Sequence, residues 1–303
     1  MVNIPNADSR VLLSKLTIQN GLAGGGGKVP GLGGSIHNLG TLTVSNCIVS
    51  KNTVNGKYLT RGGGFYNGGT LTISNSTITG NTASGTVTSA YGGGIYNAGV
   101  LTINNSTLGR NNARGPYNGY DPTSFGGGIY SSGTLVINNS TLNANDLIEG
   151  QGAGIYNAGS LAINNSTLSA NSAGGFGSSG GGIYNRFSAT TLQNSIIANN
   201  SPMNCVGGII SEGYNLSSDG TCNFSGPGDL NNTEPKLGLL QNNGGPTQTQ
   251  ALLPGSPAID AGNPNGCTDG NGHLLKTDQR GAPRPDKEDT GGCDMGAFER
   301  QKD

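Results

Sequence analysis

The stretch GGGIYNAGVLTINNSTLGRN, residues 92–111, decides the fold. Ile95, Leu101, Ile103 and Leu108 point one way, and Tyr96, Thr102 and Thr107 point the other. A side-chain period of two belongs to a strand. Each run is only three or four residues long, broken by Asn-Ala-Gly and Asn-Asn corners. So short a strand cannot bury its apolar face alone. Stacked on copies of itself at roughly 4.8 Å, it gains a backbone ladder and a continuous apolar column.

The copies are present. Blocks of this pattern start near residues 33, 62, 92, 126, 152 and 180; five span 20 residues to a closing asparagine (Asn52, Asn81, Asn111, Asn145, Asn171), and the sixth spans 21, to Asn200. The segments between them run 9, 10, 14, 6 and 8 residues. Length fixed in one part of a repeat and free in another marks a rigid stacked turn with one variable loop. The expected fold is therefore all-β: a single-stranded parallel β-helix, three short strands per turn, with the crossover rule favouring the right hand.

Columns read down the blocks agree. Ile36, Phe65, Ile95, Ile129, Ile155 and Ile183 form one apolar stack; Val44, Ile73, Ile103, Ile137, Ile163 and Leu192 form a second; Val49, Ile78, Leu108, Leu142, Leu168 and Ile197 form a third. Asn46, Asn75, Asn105, Asn139, Asn165 and Asn194 fill a corner column, where asparagine tolerates left-handed geometry and its amide can chain to the next turn. The Asn-x-Ser/Thr triplets they create read as this corner ladder, not as glycan acceptors. Cys47 replaces a serine held at Ser76, Ser106, Ser140, Ser166 and Ser195, and reads as a small buried residue.

Residues 1–202 form the repeat unit. Leu13, Leu16 and Ile18 read as the last strands of a partial first turn whose first strand is missing, as though the chain were a piece of a longer protein. Residues 203–303 lose the repeat, gain prolines, and read as irregular terminal turns followed by a cap. Four of the five cysteines lie there. Cys205–Cys222 and Cys267–Cys293 is the simplest of three pairings, and it implies an oxidising compartment. A zinc site lacks the Cys-x-x-Cys spacing, and CTDGNGH (267–273) reads as a turn, lacking the closing glutamate of a calcium loop.

The motifs resemble a bacterial surface group. The GGGIYNAG-LTINNSTL repeat is similar to right-handed β-helix repeats of pectate-lyase-like surface proteins and of polymorphic outer membrane proteins. LLPGSPAIDAGN (252–263), TDQRGAPRP (277–285) and CDMGAFE (293–299) resemble the choice-of-anchor Q module. Together they cover nearly the whole chain. The resemblance implies export and display, with no established catalytic set. No signal peptide opens the sequence, and no anchor follows Arg300-Gln301-Lys302-Asp303.

Composition narrows the function. The chain of 303 residues has 56 glycines, 11% charged residues and a net charge of -1, so it lacks the basic field a nucleic-acid protein needs. Glycine does not recur every third residue, which excludes collagen, and no apolar run is long enough to span a bilayer. Glycosidases need paired carboxyls, and lyases need a base beside cation-holding acids. The outward strand columns hold neither: they read His37, Tyr66, Tyr96, Tyr130, Tyr156, Tyr184; then Thr43, Thr72, Thr102, Val136, Ala162; then Ile48, Thr77, Thr107, Thr141, Thr167, Ile196. The loop charges Lys57, Arg61, Arg114, Asp121, Asp146 and Glu149 read as solvated.

What remains is an aromatic face. Tyr66, Tyr96, Tyr130, Tyr156 and Tyr184, fringed by Tyr91, Tyr117 and Tyr120, suit a polysaccharide or cell-surface glycan. Alternatively, the rings stack on one another and serve stability alone. A single outward threonine per strand, interrupted at Val136 and Ala162, argues against a regular hydroxyl array that could hold ice. The expectation is a non-catalytic, extracellular, adhesin-like protein without cofactor or metal, monomeric or part of a longer exoprotein. The alternatives are a polysaccharide lyase or hydrolase acting through loop residues, and a plain structural spacer.

Overall fold

A computed structural model of the chain describes residues 1–25, 30–117, 119, 121–187, 189–287 and 292–302. Among them there is no helix, and the strands stack in parallel into a coil. Three ladders of eight strands run its length, represented in one turn by Ile95–Asn97, Val100–Asn104 and Thr107–Gly109. Every apolar column named above is in register, as in Phe65↔Ile95↔Ile129 and Ile73↔Ile103↔Ile137. Those columns form one continuous core whose members in the six full turns are wholly buried.

The variable segments are more ordered than their lengths suggest. Two further ladders, of six and five strands, run through them; one turn contributes Thr82–Gly85 and Ala90–Tyr91. Val54, Ala83, Ala113, Leu147 and Ala173 point inward there and close a second, narrower core. Three of these five are alanines. The glycine that follows turns the chain back into the stack. Gly62 has φ +74°, and a Cβ there would lie 1.9 Å from the Phe65 carbonyl oxygen.

The N-terminal end departs from expectation. The first turn is complete on its leading side, because Val2–Ile4 pairs with Ile36–Asn38. The strand thought missing is the one at the N-terminus, obscured by the prolyl and polar residues that follow it. At the other end Cys205–Val206, Ile210–Ser211 and Leu216–Ser217 add a short turn, closed by the Cys205–Cys222 disulfide with Phe224 over the core.

Residues from about 235 onward continue this irregular, disulfide-bearing terminal region. They fold back along the side of the coil as a strap over the third ladder. Thr107 Oγ1 donates to the Gln248 carbonyl (2.6 Å), Thr141 Oγ1 to Gln279 Oε1 (2.6 Å), Asn165 Nδ2 to the Thr268 carbonyl (2.6 Å), and the Ala297 amide to Thr167 Oγ1 (3.1 Å). The outward residues Thr107, Thr141, Thr167 and Ile196 are consequently buried. The strap carries the Cys267–Cys293 disulfide and a fully buried Arg284–Glu299 ion pair of 2.6 Å. Both expected disulfides are present, and Cys47 is a buried free thiol. Its amide accepts the ladder's role, donating to Ser76 Oγ (3.0 Å) as each serine amide donates to the next hydroxyl.

Asn46, Asn75, Asn105, Asn139, Asn165 and Asn194 all have positive φ, between 47° and 53°. Their amides chain only at Asn139 to Asn105 (2.8 Å) and Asn194 to Asn165 (3.0 Å). The unbroken amide chain lies elsewhere, in the closing asparagines. Asn52 donates to Asn81, Asn81 to Asn111, Asn111 to Asn145, Asn145 to Asn171, and Asn171 to Asn200, each within 2.8–3.0 Å. These point into the coil, where an amide must find partners; the Asn46 column points outward, where Asn139, Asn165 and Asn194 donate to strap carbonyls.

Candidate aromatic cleft

The first ladder sets the outward side chains of successive turns one above another. His37, Tyr66, Tyr96, Tyr130, Tyr156 and Tyr184 form a single stack with ring centroids 4.9–5.2 Å apart and planes within 4–24°. In-register parallel pairing dictates this, since identical residues then sit one strand spacing apart. The ring faces are thus covered by neighbouring rings, and the column shows its edges and hydroxyls outward.

A second row stands beside it. The fifth ladder aligns Arg61, Tyr91, Phe125 and Gln151. Tyr91 stacks on Phe125 at 5.2 Å, and both meet the tyrosine column edge-on: Tyr91 to Tyr130 at 5.1 Å and 80°, Phe125 to Tyr156 at 5.2 Å and 74°. The two rows make a herringbone, the favourable arrangement of aromatic quadrupoles. Arg61 sits 5.0 Å from the centre of the Tyr96 ring, a cation–π contact, and belongs to a laddered strand instead of a loose loop.

Between the rows lies a cleft of about 390 Å³, lined by Tyr91, Pro122, Phe125, Tyr130, Gln151, Tyr156, Tyr184 and Arg186. That volume falls within the range of small-ligand sites. The lining offers phenol hydroxyls, one amide and one guanidinium, and no carboxylate among the described residues. Burial, reinforced by the neighbouring phenols, pushes Tyr130 up to about 12. Burial also raises Tyr96 and Tyr156. These phenols stay protonated near neutral pH and act as donors and acceptors, not as bases. Burial lowers His37, at the far end of the stack; its Nδ1 lies 2.9 Å from Asn3 Oδ1.

Tyr66, Tyr96, Tyr130, Tyr156, Tyr184 and Tyr91 are therefore brought together. Tyr117 is 82% exposed and stands apart from the cleft, and Tyr120 lies outside the described residues. Phe125, Gln151 and Arg186 line the cleft as well. A signal existed for two of them: Arg61, Tyr91, Phe125 and Gln151 each immediately precede the first glycine of a block. Two loop charges are also less solvated than expected. Glu149 is 1% exposed, and Asp146 accepts from Asn112 Nδ2 at 2.8 Å, its carboxyl held above the usual range by burial.

Other candidate chemistry is not assembled. Asp269 accepts from the amides of Asn271 and His273 (2.9 Å each), so the CTDGNGH segment is a side-chain-to-backbone turn. No group of three histidines, cysteines or acids suited to a metal exists among the described residues, and no helix there is long and apolar enough to cross a membrane. Comparison with protein-family models, curated proteins and solved structures gives no match.

Proposed function

We propose that this chain is a non-catalytic, extracellular β-helix protein of the bacterial surface, adhesin-like, whose aromatic cleft binds a glycan. The observation that carries the reading is the cleft itself, which gathers neutral phenols, Gln151 and Arg186 without a carboxylate. Phenol hydroxyls, an amide and a guanidinium suit hydroxyl-rich ligands, with which they exchange hydrogen bonds as donors and acceptors. Because the ring faces are closed by stacking, a sugar meets edges and hydroxyls instead of lying flat on a ring. The column repeats every 5.1–5.2 Å, close to the length of one sugar unit in an extended chain.

Two disulfides support an oxidising location, and the pectate-lyase-like repeat with its choice-of-anchor Q-like terminus supports export and display. The chain acts alone or as one stretch of a longer exoprotein. The test is a panel of soluble polysaccharides titrated calorimetrically against the wild type, Tyr130→Phe and Arg186→Gln. Binding of at least one glycan, weakened in both variants, is expected. Silence across the panel defeats the proposal. Release of reducing ends or unsaturated uronates would replace it with a lyase or hydrolase.

A further inference from the structure

The second ladder presents three outward positions per strand, not one. Thr41, Thr70, Val100 and Thr134 are in register as one rank; Thr43, Thr72, Thr102 and Val136 form the next. Over four successive turns every residue of both ranks is threonine or valine, six of eight bearing a hydroxyl. Val136 borders the strap at Gly270, whereas Thr70, Val100 and Thr134 are exposed and Thr41, Thr43, Thr72 and Thr102 are half-buried. Behind them a third outward row, Ser45, Ser74 and Asn104, continues the uncharged surface.

We infer that this face binds ice. β-Branched residues suit any strand, but that preference leaves the solvent side free to carry charge, and here four turns carry none. A charged group prefers liquid water to a rigid neutral lattice, so a charge-free face is complementary to ice. Spacing points the same way. Hydroxyls and methyls repeat at roughly 4.8 Å between turns and roughly 6.6 Å between ranks, both near oxygen repeats on the prism face of hexagonal ice. The strands are locked on both sides by the ladder, and Thr and Val are stiff at χ1, so the array is ordered before binding.

A protein partner fits poorly. Four turns by two ranks cover on the order of 200 Å², against about 800 Å² per partner in a stable interface. The array ends at both sides: Arg10 and Leu12 precede it, and its last pair, Thr134 and Val136, shares with Ser160 and Ala162 the wall of a recess of about 210 Å³.

The experiment uses the whole protein in three tests: thermal hysteresis and ice shaping, partition into growing ice, and pull-down on crystalline cellulose and chitin. Faceted ice crystals and enrichment in ice are expected. Thr72→Lys and Thr102→Lys, confirmed folded by circular dichroism, should abolish both, whereas Leu239→Lys on the strap should not. Unshaped ice with the wild type overturns the inference, as does full activity in the folded lysine variants. Thr72-dependent capture on cellulose or chitin without ice activity also overturns it, and assigns the face to a crystalline polysaccharide.

Discussion

Replacing Asn111 by alanine tests what holds the turns together. Its Oδ1 accepts from the Asn81 amide (3.1 Å) and from Asn81 Nδ2 (2.9 Å), while its Nδ2 donates to Asn145 Oδ1 (3.0 Å) and to the Ile78 carbonyl (3.0 Å). The residue is wholly buried. In the variant, Asn145 Oδ1 keeps the Asn111 backbone amide (3.1 Å) and Asn81 Nδ2 keeps the Val49 carbonyl (3.0 Å). The Asn81 backbone N–H and one Asn81 amide hydrogen lose their acceptor in the interior. At about 1–3 kcal/mol for each orphaned group, the loss comes to about 2–6 kcal/mol. Asn75→Ala is the control. Asn75 has φ +49° and no side-chain hydrogen bond among the described residues, so its cost is the left-handed backbone alone, about 1 kcal/mol.

Urea unfolding gives the comparison, and amide exchange localises it, because stacked repeats need not unfold in one step. The Asn81 amide should exchange fastest relative to wild type. Asn111→Asp adds a second arm: the carboxylate still accepts from Asn81 but cannot donate, and it is a buried charge, so it should be worse than alanine above the carboxylate range. If Asn111→Ala costs no more than Asn75→Ala, the amide chain is decoration and the apolar columns alone hold the coil.

Two further outcomes concern the strap. Burial, then the neighbouring Glu299, raises the Asp294 carboxyl to about 7, above its unfolded value of about 3.9; the amides of Arg300 and Asp260 and the Arg284 guanidinium oppose this only in part. The folded strap therefore holds a proton that the released strap gives up. Its stability from this group is fully present below about pH 4 and is lost as pH rises to about 7, by at most about 4 kcal/mol. Amide protection at Gly296 and Ala297 should fall across that window and flatten in Asp294→Asn; protection that rises instead contradicts the assignment. Separately, Cys293→Ser opens a loop with a sequence separation of 26, worth about 3.5 kcal/mol by chain entropy. Exchange should quicken in the strap and stay unchanged at Asn81; equal quickening at both would mean strap and coil form one cooperative unit.

The difference between what could and could not be read lies in the range of the contacts. Inward columns such as Ile36 to Ile183 announce themselves because each turn repeats the same chemistry at the same place. The fourth and fifth ladders hid because loop lengths vary and their inward residues, Ala83 and Ala113 among them, are small enough to pass for turn residues. The strap was hidden for another reason. Gln279 donates to Thr107 Oγ1 at 2.9 Å across 172 positions, and a polar pair at that separation leaves no period in either segment. Part of the cleft was legible as a tyrosine column. Its second wall was not, because Arg61, Tyr91, Phe125 and Gln151 share a position and not a chemistry.

The strap also explains why one residue type serves two ends. Threonines on the second and third ladders look alike in sequence, since both point outward at alternate positions. On the third ladder Thr107, Thr141 and Thr167 are anchors, each spending its hydroxyl on a strap group. On the second ladder Thr70, Thr72 and Thr102 have no such partner among the described residues and keep their hydroxyls for solvent. The strap needs donors and acceptors at irregular spacings, because its own chain has no repeat; an ordered lattice needs them at regular ones. Thr72→Val and Thr141→Val therefore separate the roles. Removing a hydroxyl already bound to Gln279 leaves a buried amide oxygen without its donor and should lower stability by about 1–3 kcal/mol. Removing one that faces water should leave stability within about 0.5 kcal/mol of wild type. Equal losses at the two positions would mean that the second face is also covered, and the assignment of its free hydroxyls would fall with that result.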